Sequence, residues 1–228
     1  MLVSRQESEN DAGAERGPRA RTRRLMLDTA SKLMQAGVTP SVSEVAGAAG
    51  VSRATAYRYF PSQAALVQAV VDEGLGPILK WHSQSTDARQ RIAELFDTAM
   101  PRVEAFEATF KAALKLSIDQ WAQRQAGTLG SEPQFKRGHR VELLKDAIAP
   151  LKGTLSASAF ERLAQALSLV FGVEVLIVLK DIWGLDGAQT LSVVQWAARS
   201  LVDAAITQGK GEIGGTVSQT VDAFDKSG

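Results

Sequence analysis

Hydrogen-bonding side chains are concentrated between Arg53 and Tyr59, a segment with two arginines, a threonine and two tyrosines. The guanidinium of Arg53 is a planar fork of donors that matches the O6 and N7 acceptors of guanine. The hydroxyls of Thr55, Tyr57 and Tyr59 suit phosphate oxygens, and their carbon atoms suit a thymine methyl group. These residue types indicate recognition of DNA. The alternative is a solvated helix face whose aromatic stems lie in the core.

The sequence around this segment predicts two short helices joined at a glycine, a helix-turn-helix. The first helix carries a small apolar stripe at helical spacing, formed by Val42, Val45, Ala46 and Ala49. Ser41, followed three residues later by Glu44, predicts a capping box at its start. Gly50 predicts its end, and Ser52 predicts the amino-terminal cap of the second helix. The second helix is therefore the one that would enter a DNA groove.

The run from Gly50 to Leu66, preceded by a helix that ends at Gly37, resembles the DNA-binding domain of the TetR family of bacterial repressors. The resemblance covers about the first third of the chain, from Arg19 to Val71. It implies a homodimer with an all-helical ligand-binding half, and a small molecule that acts by shifting the helix after the motif.

The resemblance also implies roles for individual residues. Those that match base-contacting positions are Ser43, Arg53, Ala54 and Tyr57. Those that match phosphate-contacting positions are Ser41, Thr55 and Tyr59. Gln63 stands where the family usually has a lysine that contacts phosphate, and Ala56 stands where it usually has a larger apolar residue. Ser52 and Arg58 complete the candidate DNA-binding set.

Positive charge is concentrated in the same part of the chain. The whole protein of 228 residues has a net charge of +1, with 45% hydrophobic and 22% charged residues, as expected for an ordinary globular protein. Residues 16–61 contain eight Arg or Lys residues against only Asp28 and Glu44, so the remainder is net acidic. We therefore expect only this part of the chain to approach a phosphate backbone.

The helical periods predict an all-α fold with an N-terminal three-helix helix-turn-helix domain and a C-terminal helical domain for ligand binding and dimerisation. The expected boundaries are a flexible arm at 1–18, the DNA-binding domain at 19–74, the second domain at 75–207 and a mobile tail at 208–228. The arginines at positions 19, 21, 23 and 24 have two interpretations: a solvated helix start, or an arm that enters the minor groove.

Helices are predicted in the second domain over Asp87–Met100, from Pro101 onward, and over Phe135–Leu151. Aromatic and apolar side chains on these helices are core residues first, and some of them are candidates for lining a cavity that binds a small apolar or amphipathic effector. The candidates are Phe96, Phe110, Leu114, Trp121, Phe171 and Glu174. Glu174 either lies in that cavity or pairs with an arginine across a dimer.

The segment from Phe160 to Trp183 is apolar on nearly all faces, so a helix there must be covered on every side. Charged residues, including Glu174 and Lys180, interrupt it and argue against a membrane span. With a further helix over Ala188–Ile206, it predicts a four-helix interface between two copies of the chain.

The sequence predicts no catalytic residue, cofactor or metal site. There are no cysteines, and the two histidines, His82 and His139, are far apart in the chain. Together these features predict a cytoplasmic, ligand-responsive repressor that binds palindromic operator DNA as a homodimer and is released by a small molecule. The alternatives are a regulator that activates or has no ligand, and a helical carrier or enzyme in which the helix-turn-helix is only a packing motif.

Overall fold

A computed structural model describes residues 17–135 and 137–224, with side chains up to residue 209. These residues form helices and turns and contain no strand; an isolated bridge joins Lys152 and Leu155. The prediction of an all-α fold is confirmed. The N-terminal arm before residue 17 and Lys136 lie outside the described residues.

The α-helices are numbered in chain order. They are α1 (Pro18–Gln35), α2 (Val42–Ala48), α3 (Arg53–Tyr59), α4 (Gln63–Leu75), α5 (Ala88–Ala105), α6 (Glu107–Gln125), α7 (His139–Ala147), α8 (Ala157–Ser168), α9 (Val173–Leu176) and α10 (Gly187–Phe224). Short 3-10 helices lie at Gly76–Lys80 and Ala149–Leu151, and a π-helical segment at Ile177–Ile182 follows α9 directly.

The helices divide into two compact units. Unit 1 contains the chain up to Gly74 together with Phe106–Arg137, and unit 2 contains Leu75–Ala105 and the chain from Gly138 on. This division differs from the expected one, because α6 and the loop after it belong with α1 to α4 rather than with the remaining helices. The assignment of separate functions to 19–74 and 75–207 stays a prediction.

In unit 1, α1 packs against α2 and α6 and supports the two helices of the predicted motif. Leu27, Ala30 and Met34 are buried as predicted, and Met26 joins them. The hydroxyl of Thr39 donates to the carbonyl oxygen of Ala112 in α6 at 3.2 Å, so the link before α2 is also held to α6.

The predicted start of a helix at Pro101 is wrong. Pro101 lies inside α5, and the chain leaves the helix only at Phe106, between α5 and α6. A proline inside a helix removes one backbone hydrogen bond, but it ends the helix only when the surrounding packing does not hold the turn. Here Met100 and Val103 on either side of it are buried and keep the helix in place.

Arg91 holds together two parts of unit 2. It is only 8% exposed, and its guanidinium donates to the carbonyl oxygens of Ser83 at 2.7 Å and Ser85 at 3.2 Å. It also donates to the carbonyl oxygens of Asp146 at 2.9 Å and Ala147 at 3.1 Å. The last carbonyl groups of a helix have no partner within the helix, so Arg91 satisfies the carboxyl end of α7.

The segment predicted as one apolar helix from Phe160 to Trp183 is broken in two. Gly172, between α8 and α9, has φ +108°, a conformation that side chains other than glycine rarely adopt. A Cβ at Gly172 would also lie 2.9 Å from an Nη atom of Arg140. The break therefore coincides with the positive φ of Gly172, which the helical period of the surrounding apolar residues does not reveal.

The backbone of α10 continues to Phe224, beyond the predicted end at Ile206. The predicted mobility of 208–228 stays a prediction. Among the described residues, no single helix has the length and apolar character needed to cross a membrane. The pair Ala157–Ser168 and Val173–Ile182 meets that test only when taken together across a bend of 48°.

Candidate nucleic-acid interface

The first helix of the motif begins at the predicted capping box. The backbone N–H of Glu44 donates to the hydroxyl oxygen of Ser41 at 3.2 Å, and the N–H of Ser41 donates to the Glu44 carboxylate at 2.7 Å. The hydrogen bond from the Ser41 backbone, followed by that from its side chain, lowers the pKa of Glu44. The capping box therefore fixes the start of α2 while leaving its carboxylate ionised.

The turn between α2 and α3 depends on Gly50. Its φ is +64°, and its N–H donates to the carbonyl oxygen of Gly47 at 3.3 Å. The next N–H, of Val51, donates to Ala46 at 2.9 Å, so two carbonyl groups at the end of α2 are satisfied. The predicted role of Gly50 is confirmed, and the turn sets the direction in which α3 leaves.

The second helix is fixed by a cap and by one buried face. The hydroxyl of Ser52 accepts from the N–H of Thr55 at 3.3 Å and donates to the Thr55 hydroxyl at 2.9 Å. Ala56 is fully buried and Phe60 is 3% exposed, so these residues pack α3 against unit 1. The small side chain at Ala56 allows α3 to lie close to its neighbours.

The opposite face of α3 is exposed. Arg53, Ala54, Tyr57 and Arg58 are exposed, whereas Thr55 and Tyr59 are half-buried. Tyr57, at 46% exposure, has its hydroxyl 3.4 Å from the hydroxyl of Ser43 on α2. The guanidinium of Arg58 lies 5.6 Å from the centre of the Tyr59 ring. The structure therefore brings the predicted base-contacting residues onto one outward surface, and the alternative of aromatic stems buried in the core does not hold for Tyr57.

Gln63 is engaged within unit 1. Its side-chain amide donates to the carbonyl oxygen of Thr39 at 3.1 Å, and its backbone N–H donates to the carboxylate of Glu132 at 3.0 Å. The first N–H groups of a helix attract anions, so Glu132 occupies the position at the start of α4 that a phosphate would favour. Sequence reasoning missed Glu132, because the loop that carries it is remote in the chain.

Buried groups hold this loop in place. Gln120 is 2% exposed; its amide donates to the carbonyl oxygen of Pro133 at 3.2 Å and accepts from the N–H of Phe135 at 2.7 Å. Phe135 is itself 4% exposed. Gln120 therefore holds the loop to α6, and the loop places the Glu132 carboxylate at the start of α4.

The predicted arginine cluster lies in the first turns of α1 and is exposed. Arg24 forms ion pairs with Asp28, at 2.9 Å, and with Glu73. The hydrogen bond that the Arg24 guanidinium donates to Asp28, followed by the charge of Glu73, raises the pKa of Arg24. The guanidinium of Arg23 lies 5.5 Å from the centre of the Phe60 ring. The cluster is a helix start, and its entry into a minor groove stays a prediction.

The predicted ligand-binding residues fall in both units. Phe110, Leu114 and Trp121 belong to unit 1, where Phe110 is buried and Trp121 is 56% exposed. Phe96 and Phe171 belong to unit 2, where their rings meet edge to face with centres 5.1 Å apart. Phe96 and Phe171 are buried as core residues are. Contact of any of these predicted residues with a ligand stays a prediction.

Glu174, the last predicted ligand residue, forms an ion pair within its own chain. Its carboxylate lies 2.6 Å from an Nη atom of Arg140. Arg140, a residue of unit 2 in the same chain, therefore balances the charge of the Glu174 carboxylate. An arginine from a second copy of the chain is not needed for this.

Two comparisons agree with the geometry of unit 1. Residues 26–70 match the family model described as "Bacterial regulatory proteins, tetR family", a range from α1 to α4 that contains both helices of the motif. The chain is also similar to the HTH-type transcriptional repressor LfrR of Mycolicibacterium smegmatis, with 41% identity over 56 residues. This segment is 25% of the present chain and spans only 30% of that repressor's length.

Proposed function

Because the chain belongs to the TetR family of transcriptional regulators, we propose that it is a repressor that binds palindromic operator DNA as a homodimer and is released by a small molecule. DNA binding is the part common to the family. To DNA binding, we add dimerisation, repression and the response to a ligand as properties proposed for this chain.

The outward face of α3 is the observation that carries the proposal. A helix enters the major groove with its exposed side chains against the base edges, and α3 presents Arg53, Ala54 and Tyr57 there. Its buried face and the cap at Ser52 give it a fixed orientation. The exposed Arg58 adds positive charge beside the groove.

Exposed apolar side chains in unit 2 support the homodimer. Ile182 and Trp183, at the end of the π-helical segment, are 73% and 71% exposed, and Trp196 on α10 is 72% exposed. The π-helical segment packs against α10, so both elements belong to one part of unit 2. Large exposed apolar groups on neighbouring helices are typical of a subunit interface. We expect a second copy of this chain to cover these side chains, because a palindromic operator is bound by a dimer with two-fold symmetry.

The proposed response to a ligand is a population shift. The ligand binds more tightly to a conformation in which the two copies of α3 are wrongly spaced for successive major grooves. By linkage, ligand and DNA then weaken each other's binding by the same factor.

In vitro selection from a random pool of DNA duplexes tests operator binding. We expect a palindromic consensus whose half-sites lie about 10 base pairs apart, or a multiple of that distance. The double variant Arg53→Ala/Tyr57→Ala should bind the selected duplex about 100-fold more weakly in a gel shift, because two base contacts are lost. Arg162→Ala removes an exposed arginine of unit 2 and serves as the matched control. Equal retention of the double variant and the control would contradict the proposal.

Sedimentation velocity tests the dimer separately. Trp183→Ser/Trp196→Ser should shift the full chain toward monomer, whereas Trp121→Ser, which changes an exposed tryptophan of unit 1, should not. A wild-type chain that sediments as a monomer at micromolar concentration would contradict the homodimer.

A further inference from the structure

The loop after α6 places an acidic side chain beside the proposed DNA-reading helix. Glu132 in this loop accepts a hydrogen bond from the backbone N–H of Gln63 at 3.0 Å, and both residues belong to unit 1. Gln63 is the first residue of α4, and α3 ends four positions earlier at Tyr59. A carboxylate is therefore held close to the surface that the proposed function assigns to DNA.

The start of α4 is already capped by Ser62. Its hydroxyl accepts from the backbone N–H of Ala65 at 3.1 Å, and its carbonyl oxygen accepts from the N–H of Leu66 at 3.1 Å. Ser62 is 4% exposed, whereas Glu132 is exposed. A serine in this position is a sufficient helix cap, and an exposed carboxylate at a helix start adds little to stability. The contact with Glu132 is therefore not what makes α4 a helix.

The backbone of the loop is tied to α6 at several points besides the contacts of Gln120. The N–H of Thr128 donates to the carbonyl oxygen of Gln123 at 2.8 Å, and the guanidinium of Arg124 donates to the side-chain oxygen of Gln134 at 3.3 Å. A glutamate side chain rotates about three bonds. The Glu132 carboxylate can therefore leave Gln63 while the loop stays in place.

The charge of Glu132 is not balanced by a cation. Within the described residues, no lysine or arginine forms an ion pair with its carboxylate. Asp28 and Glu73, in contrast, both pair with Arg24. A phosphate that approaches the start of α4 therefore meets a full negative charge, which repels it.

The distance from α3 to Gln63 brings this charge within reach of the DNA backbone. The major groove is about 12 Å wide, so a phosphate strand lies on each side of a helix that enters it. Four residues, from Tyr59 to Gln63, span at most about 14 Å. An N–H that donates to the carboxylate is not available to a phosphate of the flanking strand.

We propose that Glu132 is an autoinhibitory carboxylate, which competes with the DNA backbone for the start of α4. In the closed state it accepts from Gln63, and DNA binds after the carboxylate has turned away. The affinity for any duplex is then reduced by the fraction of chains in the open state. This inference rests on the DNA-binding part of the proposed function and adds a contact that weakens it.

Fluorescence anisotropy with the full chain, the selected duplex and an unrelated duplex tests the competition. Glu132→Gln should tighten binding to both duplexes by about threefold for each copy of the chain, and by about tenfold for a dimer, as expected for a charge at a helix start. Asp119→Asn is the matched control, because it removes one negative charge from an exposed side chain of unit 1 that pairs with Lys115 along α6. An equal gain in the control would overturn the inference, since net charge alone would explain it.

The melting temperature separates inhibition from a merely structural role. Glu132→Gln should not raise the melting temperature, because it removes a charged acceptor from the start of α4. If the contact served stability alone, loss of the carboxylate would weaken DNA binding or leave it unchanged, and either result would overturn the inference. Tighter binding by a chain that is no more stable supports it.

Salt provides a second readout that a structural role would not change. From about 0.01 M to about 0.1 M salt the Debye length shortens from about 30 Å to about 10 Å, so the gain from Glu132→Gln should become smaller. A gain in Glu132→Gln that does not depend on salt would overturn the repulsion.

Failure of the inference is distinguishable from failure of the proposed function. If Glu132→Gln gains nothing while Arg53→Ala/Tyr57→Ala loses DNA retention, the inference is overturned and the proposed function stands. If neither the wild type nor Glu132→Gln retains any duplex, both are overturned.

Discussion

Two glycines three residues apart should respond in opposite directions to the same substitution. Gly47 lies within α2, whereas Gly50 ends the turn after it with φ +64°. A Cβ at either position would meet no atom within 4 Å, so neither Gly47→Ala nor Gly50→Ala introduces a steric clash. The change in stability at each site therefore reflects the backbone conformation alone.

The magnitudes follow from that conformation. An alanine held at positive φ costs about 1–2 kcal/mol, because its Cβ approaches the following carbonyl oxygen. An alanine in place of a helical glycine stabilises by about 0.5–1 kcal/mol, because the unfolded chain loses conformational freedom. We expect Gly50→Ala to lower the free energy of unfolding and Gly47→Ala to raise it, with a difference of about 2 kcal/mol between the variants.

Urea unfolding followed by circular dichroism at 222 nm measures this difference. The slope of free energy against urea should stay the same in both variants, because neither changes the surface exposed on unfolding. A shift of both midpoints in the same direction, or an unchanged midpoint for Gly50→Ala, would refute the assignment of the turn to a left-handed glycine.

Three further outcomes are expected. Arg91→Lys should lower the free energy of unfolding by about 2 kcal/mol in urea, because a lysine cannot replace the fork of donors to four carbonyl groups; an unchanged midpoint would contradict this. The pKa of Glu44 is lower in the folded chain than in the unfolded chain, so its carboxylate contributes to the free energy of unfolding above the unfolded pKa of about 4.3. This contribution is lost as the pH falls through the folded pKa. The difference in stability between the wild type and Glu44→Gln should therefore vanish in acid. Glu132→Gln should strengthen binding to two unrelated duplexes by the same factor, because it removes a carboxylate from the start of α4; weaker binding would count against the proposed phosphate position.

Local patterns explain why much of the DNA-facing geometry could be predicted from the sequence. The capping box joins Ser41 to Glu44, and the turn joins Gly50 to Gly47. Each interaction spans three residues, so the residue types and their spacing contain it almost completely. The exposed face of α3 follows in turn, because burial of Ala56 fixes the opposite side.

Interactions between distant residues explain what could not be predicted. Whether Pro101 ends a helix depends on the packing of α5. The contact between Glu132 and Gln63 joins residues 69 positions apart. A period along one helix carries no information about such pairs.

The shortness of α3 connects the stability of unit 1 to DNA recognition. Isolated helices of fewer than about 12 residues are marginal in water, and α3 runs only from Arg53 to Tyr59. Its order therefore comes from the cap at Ser52, an exposed residue, and from burial of Ala56 on the opposite face. Ser52→Ala removes the helix cap and with it about 1 kcal/mol of stability. If DNA selects the ordered helix, this variant should weaken binding to matched and mismatched duplexes by the same factor, whereas loss of a base contact at Arg53 should weaken the matched duplex more.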